Sequence, residues 1–174
     1  MKARIFSIAL ATVSAAAIIA GGVAANGQTV GAVAAAAQVK VAERADDFRL
    51  VDHKSKTQLL SYYKNSPAVV IISQQNGAKA IRDAAAEIKA LQASFASKEV
   101  PLLLLNSNPA DNRDTIAAEM ASLGLDLPVM IDDTQLVGES LGVSRVAQAY
   151  VIQPKTWKVV YSGPIASGGK TYVA

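Results

Sequence analysis

Ala68-Val69-Val70-Ile71-Ile72-Ser73-Gln74-Gln75-Asn76-Gly77-Ala78-Lys79-Ala80-Ile81-Arg82 decides the fold. Four consecutive β-favouring apolar residues, Val69 to Ile72, stop at polar Ser73-Gln74-Gln75, turn at Asn76-Gly77 and open into an alanine-rich helical pattern. This is a buried central strand feeding a helix. The turn after such a strand often carries a reactive group, because the helix N-terminus offers unpaired N–H groups and the positive end of a dipole, which lower a thiol's pKa. Here that position holds Ala78.

Downstream, Ile81, Ala84, Ala85, Ile88, Leu91 and Phe95 recur every three or four residues and make one helical face over 78–96. Glu99-Val100-Pro101 breaks the helix, and Leu102 to Leu105 form a second fully apolar strand. Such a strand needs cover on both faces, which predicts a parallel pair joined by a right-handed crossover, with helices above and below. Asn106-Ser107-Asn108-Pro109 closes this strand at the same sheet edge as the Asn76-Gly77 turn. Asp111 or Asn112 caps a helix with Ile116, Ala117, Met120 and Leu123 on its face and Gly124 at its end. Val129-Met130-Ile131 is a short strand, and Asp132-Asp133-Thr134 caps a last helix that finishes at Gly142. Ala149 to Ile152 and Val159 to Tyr161 form an antiparallel hairpin. Upstream, alternating Asp46 to Asp52 predicts an edge strand, Asp52-His53-Lys54 a solvated turn, and Leu59 to Tyr63 a helical turn.

The length of 174 residues and 51% apolar content predict one well-packed domain. Residues 1–25 read as a secretory signal, with Lys2 and Arg4 as the charged start, Ile5 to Ala20 as the apolar run and Val23-Ala24-Ala25 as the cleavage site. A second small-residue site at Ala35-Ala36-Ala37 and an uncleaved anchor are the alternatives. Residues 26–44 are expected to be a flexible lead-in, 45–165 the domain and 166–174 a tail, in a protein exported to the bacterial periplasm. Loss of Lys2 and Arg4 leaves 15 basic against 14 acidic residues, so the basic character belongs mostly to the signal. Without basic clusters or interleaved aromatics, nucleic-acid binding has no support. One histidine and no cysteine make a transition-metal centre improbable and exclude both disulfides and thiol chemistry.

Asp47 to Asp52, Leu59 to Tyr63, Val69 to Ile72 before Asn76-Gly77, Asn106 to Pro109, Leu127-Pro128-Val129, and Leu141-Gly142-Val143 before Tyr150-Val151-Ile152 together resemble the thioredoxin-like redoxins, the group of peroxiredoxins and thiol-disulfide oxidoreductases. The resemblance spans residues 45–165. It implies an α/β, three-layer thioredoxin-like fold, with a central mixed sheet and helices on both faces. It also implies a nucleophilic cysteine in an Asn-Gly-Cys-Pro-like turn and a cis-proline before the penultimate strand; the corresponding positions hold Ala78, with Lys79 after it, and Ala147. A trans, reshaped loop is therefore expected at Ala147, since a non-proline cis bond costs about 2.5–4 kcal/mol. The expected protein is a cofactor-free, non-catalytic accessory subunit that binds a larger periplasmic or inner-membrane oxidoreductase. The small third subunit of membrane-bound quinohaem alcohol dehydrogenases is one role that this size and compartment would suit.

The competing reading is a ligand-binding protein or non-thiol enzyme using the loop edge around Ser73, Lys79 and Arg82, where a serine–lysine pair is conceivable. Lys79 and Arg82, one turn apart at a helix start, are candidates for an anion. Trp157, Tyr161 and Tyr172 are candidates for an aromatic partner surface, and Asp132-Asp133 suggests a cap ahead of a paired acid and base.

Overall fold

A computed structural model describes residues 42–167 and 170–171. The signal-peptide reading and Tyr172 lie outside the described residues. No helix among those residues is long and apolar enough to cross a membrane.

The strands are β1 (Arg49–Asp52), β2 (Thr57–Leu59), β3 (Val69–Gln74), β4 (Leu102–Asn106), β5 (Val129–Ile131), β6 (Gln148–Gln153) and β7 (Lys158–Pro164), and they form one mixed sheet in the order β2-β1-β5-β4-β3-β6-β7. β3, β4 and β5 run parallel, whereas β1 and β6 join antiparallel on opposite flanks. The helices are α1 (Lys79–Ala96), α2 (Arg113–Leu123) and α3 (Leu136–Leu141), with a 3-10 turn at Leu60–Tyr63. Alternation along β3 sends Val70 and Ile72 into a core shared with Ile81, Ile88 and Ile116, and sends Val69 and Ile71 into a second core shared with Leu60 and Leu141. Helices therefore cover both faces, because a strand buried on both sides has no face to give to water.

Helix ends follow local chemistry. Asn112, rather than Asp111, caps α2 through a capping box with Thr115, and Gly124 closes it at φ 64°. Ile116 and Met120 are buried, while Ala117 is exposed, so the buried stripe of α2 is narrower than the spacing predicts.

Three expectations are corrected. β1 lies inside the sheet, and the edge belongs to β2, a three-residue strand that takes in Leu59, read as the start of a helical turn, and the two residues before it. The Asp52-His53 turn is buried. Asp52 is 1% exposed, and its Oδ1 accepts the N–H groups of Lys54 and Lys56, both at 2.9 Å. His53 exchanges two hydrogen bonds with Val129: its N–H donates to the carbonyl at 3.0 Å, and its Nδ1 accepts the Val129 N–H at 3.2 Å. Pairing of β1 with β5 brings this turn under the sheet end. Finally, the C-terminal residues read as a tail include a two-stranded ribbon, β8 (Ala166–Ser167) with β9 (Lys170–Thr171). At the other end of the described chain, Glu43 to Ala45 run along β7, with Val159 N–H donating to Glu43 O at 3.0 Å and Ala45 buried.

Candidate functional site

The C-terminal ends of β3 and β4 meet the turn 75–78, and the side chains of Gln74, Asn76, Asn106 and Asp111 are joined there by hydrogen bonds. Asn106, 1% exposed, donates from Nδ2 to Gln74 Oε1 at 2.8 Å and to Asp111 Oδ2 at 2.9 Å. Gln74 in turn donates to Asn76 Oδ1 at 2.9 Å. The Asn76 N–H donates to Asp111 Oδ2 at 3.0 Å, and the Gly77 N–H donates to Glu119 Oε1 at 3.1 Å. Two carboxylates thus sit on the two amides that lead into α1. Ala78 is the N-cap residue of α1 and supplies no side-chain cap.

Ser73 is 4% exposed and binds the opposing loop: its Oγ donates to Arg145 O at 2.6 Å and accepts the Gln148 N–H at 3.0 Å. The Ala147 N–H donates to Ser73 O at 2.9 Å, with Ala147 held at φ 60°. That left-handed conformation is one a residue with a Cβ rarely takes, and it costs roughly 1–2 kcal/mol. No described residue has a cis peptide bond, so the peptide bond before Ala147 is trans.

Lys79 and Arg82 do not converge. Lys79 Nζ pairs with Asp83 at 2.5 Å on the exposed face of α1, and the Arg82 guanidinium folds back to Gly77 O. Neither faces Ser73, so the serine–lysine pair is not formed. Trp157 packs into the core beneath α3, whereas Tyr161 packs into the core beneath α1. They lie on opposite faces of the sheet and share no aromatic surface; the Tyr161 hydroxyl donates to Pro164 O at 2.8 Å.

Asp132 works as a cap at a distance. Fully buried, its Oδ2 accepts Ser107 Oγ at 2.7 Å and the Gly138 N–H at 2.8 Å, while Oδ1 accepts the Val137 N–H at 3.3 Å. These are the free amides of α3, whose N-cap residue Gln135 makes no side-chain cap. Asp133 is exposed, so the two carboxyls make no acid–base pair.

Between the two loops lies a polar cleft of about 360 Å³, lined by Gln75, Ser107, Asn108, Gln135, Ser144 and Arg145 among others. Gln74, Asn106, Asp111, Glu119 and Gln148 are the site residues that sequence reasoning missed. The signal available was the abrupt polar ending of two apolar strands at Gln74 and Asn106. Among the described residues no group of three or more His, Asp or Glu is placed to hold a metal ion. Burial pushes the Tyr150 hydroxyl up to about 12, and it stays a donor to Gly142 O at 3.2 Å. Burial also holds His53 below its ordinary value, helped by the adjacent Lys54 ammonium.

A family model described as AhpC/TSA family matches residues 41–166. No curated protein is significantly similar to the chain. Among solved structures, an uncharacterized conserved protein from Geobacillus kaustophilus is 22% identical with a TM-score of 0.68, over 76% of this chain and 72% of that one. A peroxidoxin from Mycobacterium tuberculosis is 20% identical with a TM-score of 0.61, over 75% and 89%. A thiol:disulfide interchange protein of the thioredoxin family from Chlorobium tepidum is 16% identical with a TM-score of 0.60, over 76% and 89%. At these identities the likeness is one of fold.

Proposed function

The chain belongs to the AhpC/TSA family, and from that premise we propose that it works without thiol chemistry, as a redoxin-fold binding module for a larger periplasmic or membrane-attached oxidoreductase. One observation carries this reading: the turn that would bear the nucleophile holds Ala78, and the Asn76 and Gly77 amides before it are occupied by Asp111 and Glu119. An activated thiolate needs a nearby positive or dipolar partner. This turn sets two carboxylates on its amides against the one guanidinium of Arg82 on the Gly77 carbonyl.

What the edge retains is a rigid, hydrogen-bonded frame around a cleft rimmed with amide and hydroxyl groups and one cation, Arg145. Such groups suit the backbone and polar side chains of an extended segment from a partner protein, since they supply donors and acceptors in fixed positions. Pre-formed geometry of this kind lowers the ordering cost of association.

The test is capture of the tagged protein from its native cells in mild detergent, with a photo-crosslinking residue at Gln75 or Arg145. Recovery of an oxidoreductase subunit in stoichiometric amount, crosslinked from both positions, is the expected result. A lone monomer with no crosslink from either position refutes the module reading.

A further inference from the structure

At the end of the sheet away from Ala78 lies a second cavity, of about 250 Å³, between the last turns of α1 and strands β3, β6 and β7. Its walls are almost wholly apolar: Val70, Leu91, Phe95, Val151 and Ile165 contribute side chains, and Lys98 stands at its margin. Cavities with such walls hold apolar groups rather than water. Lys98 is the one charged side chain among the described lining residues. Glu87, a turn before Leu91 on α1, is not among them.

We propose that this cavity binds a medium-chain alkyl carboxylate, its chain among Val70, Leu91, Phe95 and Val151 and its carboxylate on the Lys98 ammonium. The volume sets the chain length. At about 30 Å³ per water-sized group, 250 Å³ accommodates roughly eight carbons. That is one short chain and not the paired tails of a bilayer lipid. The site is independent of the partner-binding cleft, because the two share no lining residue and lie at opposite ends of β3.

The experiment is a calorimetric titration of the purified protein, free of detergent, with butyrate, hexanoate, octanoate, decanoate and laurate below their micellar concentrations. Each methylene buried should tighten binding about fourfold until the cavity is full near eight carbons, with a plateau beyond. Lys98→Glu, at an exposed position, should weaken octanoate about tenfold and turn the preference towards octylamine. Val151→Phe, which fills the cavity from its wall, should abolish the dependence on chain length. Affinity that climbs without a plateau, or that neither variant changes, overturns the proposal. So does saturable binding that appears only once residues 172–174 are removed, since the occupant would then be the chain's own end. Flotation with phosphatidylglycerol vesicles in the absence of any octanoate heat would overturn it in favour of a lipid surface.

Discussion

Ala78→Cys returns a thiol to the start of α1, and its surroundings determine what kind of thiol results. The helix end favours the thiolate by about 0.3–1 kcal/mol. Opposing it are Asp111, on the Asn76 amide at 3.0 Å, and Glu119, on the Gly77 amide at 3.1 Å. A negative charge roughly 6 Å away, in a dielectric of about 40–80 at this partly exposed turn, disfavours the thiolate by about 0.7–1.4 kcal/mol. Two of them raise the pKa by about 1–2 units, which the helix end and the Arg82 guanidinium on the Gly77 carbonyl together offset. The introduced thiol should therefore titrate near the free value of about 8.5, well above the range of about 3.5–7.5 for activated ones. At pH 7 only about 3% would be thiolate. The assay is the pH dependence of alkylation by iodoacetamide, followed by mass, with peroxide reduction measured in parallel. Adding Asp111→Asn and Glu119→Gln should lower the pKa by at least a unit. A pKa at or below 7 in the single variant, or one indifferent to the two neutralising substitutions, would refute the electrostatic account of this turn.

Gly138→Ala should destabilise the domain by about 2–4 kcal/mol, because the new Cβ would stand 2.6 Å from Ser107 Oγ and displace the charge-assisted bond to Asp132. In urea titrations the cost should shrink when Ser107→Ala is added, and strict additivity of the two would show that the clash is not the cause. Ala147→Gly should stabilise by up to about 1 kcal/mol through relief of the φ 60° strain, whereas Ala147→Pro should cost several times that, since proline cannot reach positive φ and loses the N–H given to Ser73. Equal urea midpoints for the two variants would contradict this. His53 has a depressed pKa in the fold, so its contribution is complete above the unfolded value of about 6.5 and is lost as pH falls through the folded one. His53→Asn should therefore lie further below the parent in stability at pH 7.5 than at pH 5; a constant gap across that range would exclude the linkage.

The elements that sequence made legible are those whose cause is local. Four-residue apolar runs, a helical stripe and glycines at helix ends state their structure within a few residues, which is why β3, α1, β4 and the end of α2 fall where the pattern puts them. β2 and the burial of His53 are different, because their causes are distant. Thr57-Gln58-Leu59 is a strand only because Arg49 to Val51 lie beside it, and His53 is buried only because Val129, 76 residues away, supplies its partner. The candidate site divides in the same way. That Ala78 and Ala147 stand where the resemblance implies a thiol and a proline could be read from two positions. The carboxylates on the turn could not, since Asp111 and Glu119 reach Asn76 and Gly77 across 35 and 42 residues. Nor could the divergence of Trp157, in the turn before β7, and Tyr161, within β7, since the β6–β7 pairing shifts register between Val151 and Ile152.

The order of strands also sets a timetable for the newborn chain. β3 is the middle of the hydrophobic interior, yet one of its two flanks belongs to β6, which ends only at Gln153. A ribosome working at about 5–20 residues per second needs roughly 4–16 seconds to go from Gln74 to Gln153, and throughout that interval Val69 to Ile72 present an unpaired apolar edge. Such an edge is an invitation to strand addition by another molecule. Premature stops between about 107 and 147 should therefore yield aggregating products rather than small folded fragments, and the nascent protein should depend on chaperones or on delayed folding until its last hairpin has been made.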